Sequence, residues 1–189
     1  PVHVLIRPRS GDFTYSDAEF DIMLTDIALC KELGFEGIVS GVLNKNFTLD
    51  VERTRKLKSS AGHLKFTFHR AFDWVKDPLK ALKLLDDLQI DYILSSGQQK
   101  SAPLGIDLLS ELEQQNSRVQ IMPGSGINSS NVDVFISRGF NALHLSGTAM
   151  IQTLTKSPPI SMNSSGFLSD DYVAITQLQN IKAVVAKVK

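Results

Sequence analysis

Eight residues, FTFHRAFD at 66–73, place His69, Arg70 and Asp73 within five positions at the end of an apolar run. Histidine beside a carboxylate and a guanidinium is the material of general acid–base chemistry, and arginine anchors carboxylates and phosphates. His69, Arg70 and Asp73 are therefore the candidate catalytic group, with His69 as acid or base. A plainer reading stays open, in which His69 is a packed interior histidine and Arg70–Asp73 a surface ion pair.

Side chains alternate along a strand. If Phe66 and Phe68 face covering helices, Thr67 and His69 face the opposite side. The same phase turns Val2, Val4 and Ile6 outward and Leu5 and Arg7 inward. It also sends Met122 and Gly124, and His144 and Ser146, inward. Either Ser95 or Ser96 ends its strand on the same side. An inward Arg7 needs an anion or a wet pocket, because an isolated buried charge is costly. The candidate ligand-binding residues are then Arg7, Arg9, Asp12, Ser96, Gly124, Gly126 and Ser146. The MPGSG turn (122–126) and Ser146–Gly147 form two halves of an anion cradle, although glycine-rich turns also arise from tight strand-to-helix geometry. His69 and His144 are the candidate metal ligands. His3 and His63 read as structural or exposed, and Cys30 as a small core residue.

These groups need elements to hold them. Strand-length apolar runs lie at 2–8, 36–42, 65–71, 92–97, 119–124 and 142–147. Helical patterns lie between them. Residues 16–34 open on Ser16 with Glu19 three positions on, a capping box, and close on Gly34. Asp50 precedes 51–62, and Asp77 with Pro78 starts 77–89. Segments 106–114 and 131–138 follow, and a last helix spans roughly 172–188. Residues 148–171, rich in Ser, Pro and Asn, read as a long loop after the last strand.

Six βα units with strands buried on both faces predict an α/β fold with a parallel sheet, taken as one domain over 1–189. No Gly-x-Gly-x-x-Gly follows the first strand, and polar groups recur at many strand ends. Both favour a TIM (β/α)8-type barrel over a doubly wound sheet. A whole barrel takes about 250 residues. The chain begins at Pro1 directly in a strand, so the expectation is a piece of a longer product whose first two βα units are missing.

Composition narrows the function classes. The chain has 189 residues, 42% apolar, with 20 basic residues offset by 20 acidic ones. That balance points away from nucleic acid and from anionic membranes. No apolar run reaches the length of a membrane span. A single cysteine rules out an internal disulfide and fits the cytoplasm.

The blocks IRPRSGDFTYSDAE (6–19), TFHRAFDWVKDPLKAL (67–82), ILSSGQQKSAPLGI (93–106) and IMPGSGINSSN (121–131) resemble the CutC copper-homeostasis family, over about residues 1–150. The resemblance implies a TIM-type barrel, a copper-binding or copper-tolerance role in the cytoplasm, copper as the bound ion and a homodimer as the assembly. Two departures stand out. The family's early region with its proposed cysteine ligands has no counterpart here, and family glycines are serine at Ser10 and Ser125. Cu(I) prefers thiolate and thioether ligands. With one cysteine and four methionines, the residues alone do not point to copper. An enzyme acting on a small anionic metabolite is the competing reading, and a siteless barrel remnant associating through open edges is a third.

Overall fold

The computed structural model describes residues 1–115, 117–162 and 170–189. Five strands form one parallel sheet: β1 (His3–Leu5), β2 (Gly37–Ser40), β3 (Lys65–Phe68), β4 (Tyr92–Ser95) and β5 (Gln120–Pro123). They lie side by side in chain order, with pairs such as Val4 to Ile38, Ile38 to Phe66 and Ile93 to Ile121 in register. An order that never reverses has no switch point. With right-handed crossovers, it places every connecting helix on the same face of the sheet.

The helices begin where their caps predict. In α1 (Asp17–Glu32) the Ser16 hydroxyl accepts from the Glu19 amide, and the Glu19 carboxylate accepts from the Ser16 amide. Asp50 and Asp77 cap α2 (Val51–Ala61) and α3 (Pro78–Asp87). The shorter α4 (Ile106–Glu113) and α5 (Val132–Ser137) follow. Phe66, Phe68, Ile38, Ile93 and Ile121 are buried with Met23, Ile27, Leu57, Leu82, Leu85 and Leu109 of the helices. Cys30 lies in this core. The opposite face carries Leu5, Val39, Leu94 and Met122 and has no helical cover among the described residues, so Leu5 stays 59% exposed. Among the described residues no helix is long and apolar enough to cross a membrane.

Two expectations are corrected. The strand expected at 142–147 is reduced to one parallel bridge, Gly124 to His144, with the His144 amide donating to the Pro123 carbonyl at 2.9 Å. The loop expected at 148–171 begins with β6 (Thr148–Gln152), which pairs antiparallel with β7 (Tyr172–Thr176). Residues 163–169 of that loop lie outside the described residues. The last helix, α6 (Leu178–Val188), therefore starts at 178. The β-branched alternation of YVAIT outweighs its place beside a helical pattern.

The exit of β4 meets the entry of α4 through backbone alone. A Cβ on Gly105 would lie 2.0 Å from the Ser96 carbonyl oxygen, and one on Gly97, at φ +67°, 2.1 Å from the Gly105 carbonyl oxygen. Gly34 has φ +74° but open space around it. Gly105→Ala is expected to cost about 3 kcal/mol or more in urea unfolding, and Gly34→Ala only about 1 kcal/mol. Equal losses would show that the Gly97–Gly105 approach is not tight.

Candidate functional site

The uncovered face of the sheet forms a pocket of about 470 Å³, lined by His3, Leu5 and Arg7 of the β1 segment, Val39, Thr67, His69, Arg70, Leu94, Met122, His144 and Phe13. Strand phase thus brings Arg7, His69 and His144 together as expected, and adds His3. Glycine makes room for the rings. A Cβ on Gly41 would lie 2.7 Å from His69 Nδ1, and one on Gly37 would lie 2.5 Å from the His3 ring.

His69 is only 5% exposed. Its Nδ1 accepts the Ala71 amide at 3.2 Å, which opens the 3-10 turn Arg70–Trp74. A neutral ring that accepts at Nδ1 carries its proton on Nε2. Burial, with the nearby Arg7 charge, lowers the pKa to about 4, so the ring is neutral near pH 7. Its Nε2–H has no hydrogen-bond partner among the described residues. The same is true of two other buried atoms, Arg7 Nε and the Tyr15 hydroxyl. Arg7 donates from Nη2 to the Gly11 carbonyl at 2.7 Å and lies 4.7 Å from the Phe13 ring centroid. Tyr15 sits near Arg7 but short of hydrogen-bond geometry, and burial raises its pKa. Buried polar groups are almost always paired, so an unpaired guanidinium nitrogen with unpaired groups on two nearby residues is an exception that calls for an occupant.

The other charged candidates are engaged within the protein. Asp73 has a side chain 6% exposed. Its Oδ1 accepts from the Ser95 hydroxyl (2.6 Å) and the amides of Ser96 (3.0 Å) and Gln98 (3.2 Å). Its Oδ2 accepts from Arg70 Nε (2.7 Å) and the Ser96 hydroxyl (3.0 Å). Arg70 also donates to Ser96 Oγ at 2.7 Å. Both serines at the end of β4 therefore serve the tether, which resolves the ambiguous phase there. Arg9 donates to Glu19 (2.7 Å), Asp12 (3.1 Å) and the Thr14 carbonyl (2.9 Å) and lies over the Tyr15 ring. Asp12 accepts from the Thr14 amide and hydroxyl, and those bonds with the one from Arg9 hold its pKa near 2. Arg9 and Asp12 thus brace the β1–α1 loop.

A second cleft of about 560 Å³ adjoins the first, sharing Arg70, Leu94 and His144. It is lined by Ser125 to Ser130, Ser146 to Thr148 and Asn180, so the two expected halves of the anion cradle face each other. Gly126 and Ser146 line it. Gly124 does not: its amide donates to the Ser95 carbonyl, and a Cβ there would meet Leu94 at 2.5 Å. Ser125 holds φ +79°, a conformation that favours glycine.

The metal expectation meets an obstacle. Binding a metal through Nε2 would move the His69 proton to Nδ1, against the Ala71 N–H. Among the described residues no three His, Cys, Asp or Glu side chains group as a metal site would need. Cys30 is buried under α1 with its pKa raised by burial. The residues present do not fit a copper ion held by this chain.

Sequence reasoning assigned no role to Phe13, Tyr15 or Gly41. The first two stand in the quoted GDFTYS block, and their spacing by two was the available signal.

The chain is 46% identical over 146 residues to the family protein CutC of Enterobacter sp. (strain 638), covering 77% of this chain and 59% of that protein. It is 41% identical over 172 residues to that of Edwardsiella ictaluri, covering 91% and 68%. The chain thus spans about three fifths of the length of the first of these relatives. Among solved structures it resembles the crystal structure of a candidate copper homeostasis protein CutC from Streptococcus agalactiae, with TM-score 0.70, 32% identity and coverage of 74% of this chain and 70% of that one. A candidate deoxyribose-phosphate aldolase from Coccidioides immitis shares the fold alone, at TM-score 0.58 and 17% identity over 75% of this chain and 59% of that one. The model of the CutC family matches residues 1–149, and the chain belongs to that family.

Proposed function

We propose that the chain serves copper homeostasis in the cytoplasm, the role carried in the name of its Streptococcus relative, by binding a small anionic ligand and not through a copper ion on its own side chains. The sheet is read as an arc of a TIM (β/α)8-type barrel whose inner face is the pocket. The observation that carries the reading is that two residues lining the pocket, Arg7 and His69, each hold a buried unpaired donor, Nε and Nε2. No carboxylate lines that pocket, and its lining guanidinium at Arg70 is already balanced by Asp73. Arg7 supplies the charge and His69 a neutral N–H donor. A carboxylate or phosphate meets both, and the burial of the two donor atoms strengthens each bond. In this reading His69 orients the ligand, and its earlier acid–base role narrows to donation from Nε2.

Arg7→Ala and His69→Ala are each expected to weaken acetate or phosphate binding at least about tenfold by calorimetry, with an unchanged far-UV dichroism spectrum. Unchanged affinity in both variants defeats the reading. So does a tight, stoichiometric Cu(I) signal under anaerobic conditions that disappears in His69→Ala.

A pH dependence follows from the same histidine. Its folded pKa, about 4, lies below the ordinary 6.5, so the unfolded chain takes up the proton first. The His69 contribution is fully present above pH 6.5 and is lost as pH falls towards 4, at about 1.4 kcal/mol per pH unit. Urea titrations of wild type and His69→Gln are expected to diverge over that window, with the variant less sensitive to acid. Parallel curves would mean that His69 titrates normally in the fold.

A further inference from the structure

The donors that carry the anion reading have almost no exposed surface. A ligand reaches them only if a side chain moves. Phe13 is placed to be that side chain. Its ring lies 4.8 Å from the His69 ring, 4.7 Å from the Arg7 guanidinium carbon and 4.9 Å from the Trp74 ring. Its main chain is held, since its carbonyl accepts the Leu43 amide at 2.9 Å. Phe13 lines the inner pocket and also a further cavity of about 370 Å³, with Asp12, Thr14, Leu43, Asn44, Lys45, Phe47 and Trp74. Phe13 therefore borders two cavities, with its ring close to Arg7 and His69 of one and to Trp74 of the other, and each is in the size range of small-molecule sites.

The outer cavity has the chemistry of a ring site. Trp74 and Phe47 are each 47% exposed, with ring centroids 6.3 Å apart. Phe47 holds φ +62°, a conformation that suits glycine and strains a bulky residue. The turn around it is fixed by backbone bonds that glycine would also make: Phe47 N–H to the Asn44 carbonyl and Lys76 N–H to the Phe47 carbonyl. Burial does not offset the strain, because Phe47 remains about half exposed. Lys45 adds a cation to the lining, and the Asp12 carboxylate is already taken by Thr14 and Arg9.

We propose that Phe13 is a swinging partition between the two cavities, and that the ligand is an anion bearing an aromatic ring, its acid end at Arg7 and His69 and its ring against Phe47 and Trp74. The proposal rests on the anion reading of the inner pocket and adds to it the ligand's second half. Offset and edge-on ring contacts add to the area buried, and the ring quadrupole favours such geometry.

The test uses the intact chain and its single tryptophan, Trp74, as reporter. Phenyl phosphate and phenylacetate are titrated against inorganic phosphate and acetate, by calorimetry and by Trp74 emission. The aromatic acids are expected to bind about fivefold tighter or more and to change the emission. Phe47→Gly, which suits the local backbone, is expected to remove that advantage. Phe13→Ala deletes the partition and is expected to speed phenyl phosphate association in stopped flow. Phosphate or acetate binding with no preference for the aromatic acids and no change in emission overturns the ring site and leaves the anion pocket standing. An unchanged association rate in Phe13→Ala overturns the partition. Absence of binding by all four acids overturns both the pocket and this extension.

Discussion

The Asp73 carboxylate is the constraint on which the rest of the site depends. It accepts from Arg70, Ser95, Ser96 and Gln98, which are contributed by two different strand exits. A buried anion is tolerable only when its lone pairs are filled, and here they are. The bonds fasten the turn after β3 to the loop after β4. That turn begins at His69, so the tether also fixes the imidazole. It fixes Arg70 as well, at the boundary shared by the inner pocket and the cleft beyond. The FHRAFD segment thus divides its labour: histidine faces the pocket, while arginine and aspartate hold the wall.

A second division runs through the sheet. Consecutive parallel order sends all helices to one face, and the large apolar residues Phe66, Phe68 and Ile93 follow them. The other face carries Leu5, Val39, Leu94 and Met122 together with Thr67, and glycines at 37 and 41 give the histidine rings their space. Stability and ligand chemistry therefore lie on opposite sides of the same backbone. A change to an outward phenylalanine alters the fold directly, whereas a change to an inward residue alters mainly the pocket.

Strand alternation made much of this legible. A period of two, read from the phenylalanines of β3, placed Arg7, His69, Met122 and His144 on one side, where the pocket lies. Capping signals located the helix starts at Ser16, Asp50 and Asp77 because those signals are local hydrogen bonds. Partner choice was not legible. Arg7, Arg9 and Asp12 lie in one loop region with similar surroundings in sequence, yet Arg9 and Asp12 engage Glu19 and Thr14 while Arg7 Nε stays unpaired. Which cation is left over depends on side-chain directions in a loop, where no period exists. Tyr15 and Phe13 were obscure for the same reason. The segments after His144 were misjudged because a single bridge and a short hairpin leave weaker patterns than a full strand.

Family membership and the pocket constrain function differently. Membership attaches the chain to proteins of which one is named for copper homeostasis, whereas the pocket-lining Arg7 and His69 offer unpaired nitrogens that carry hydrogens. Such donors repel a metal cation and attract an anion. They also couple ligand and proton. A bound negative charge near His69 would favour its protonated form, against the burial, the Arg7 charge and the Ala71 amide on Nδ1 that keep it neutral. The proton that weakens the empty fold below pH 6.5 would then strengthen the filled pocket. Anion affinity should rise over the range in which the free chain loses stability, so that acid makes the fold increasingly dependent on its ligand.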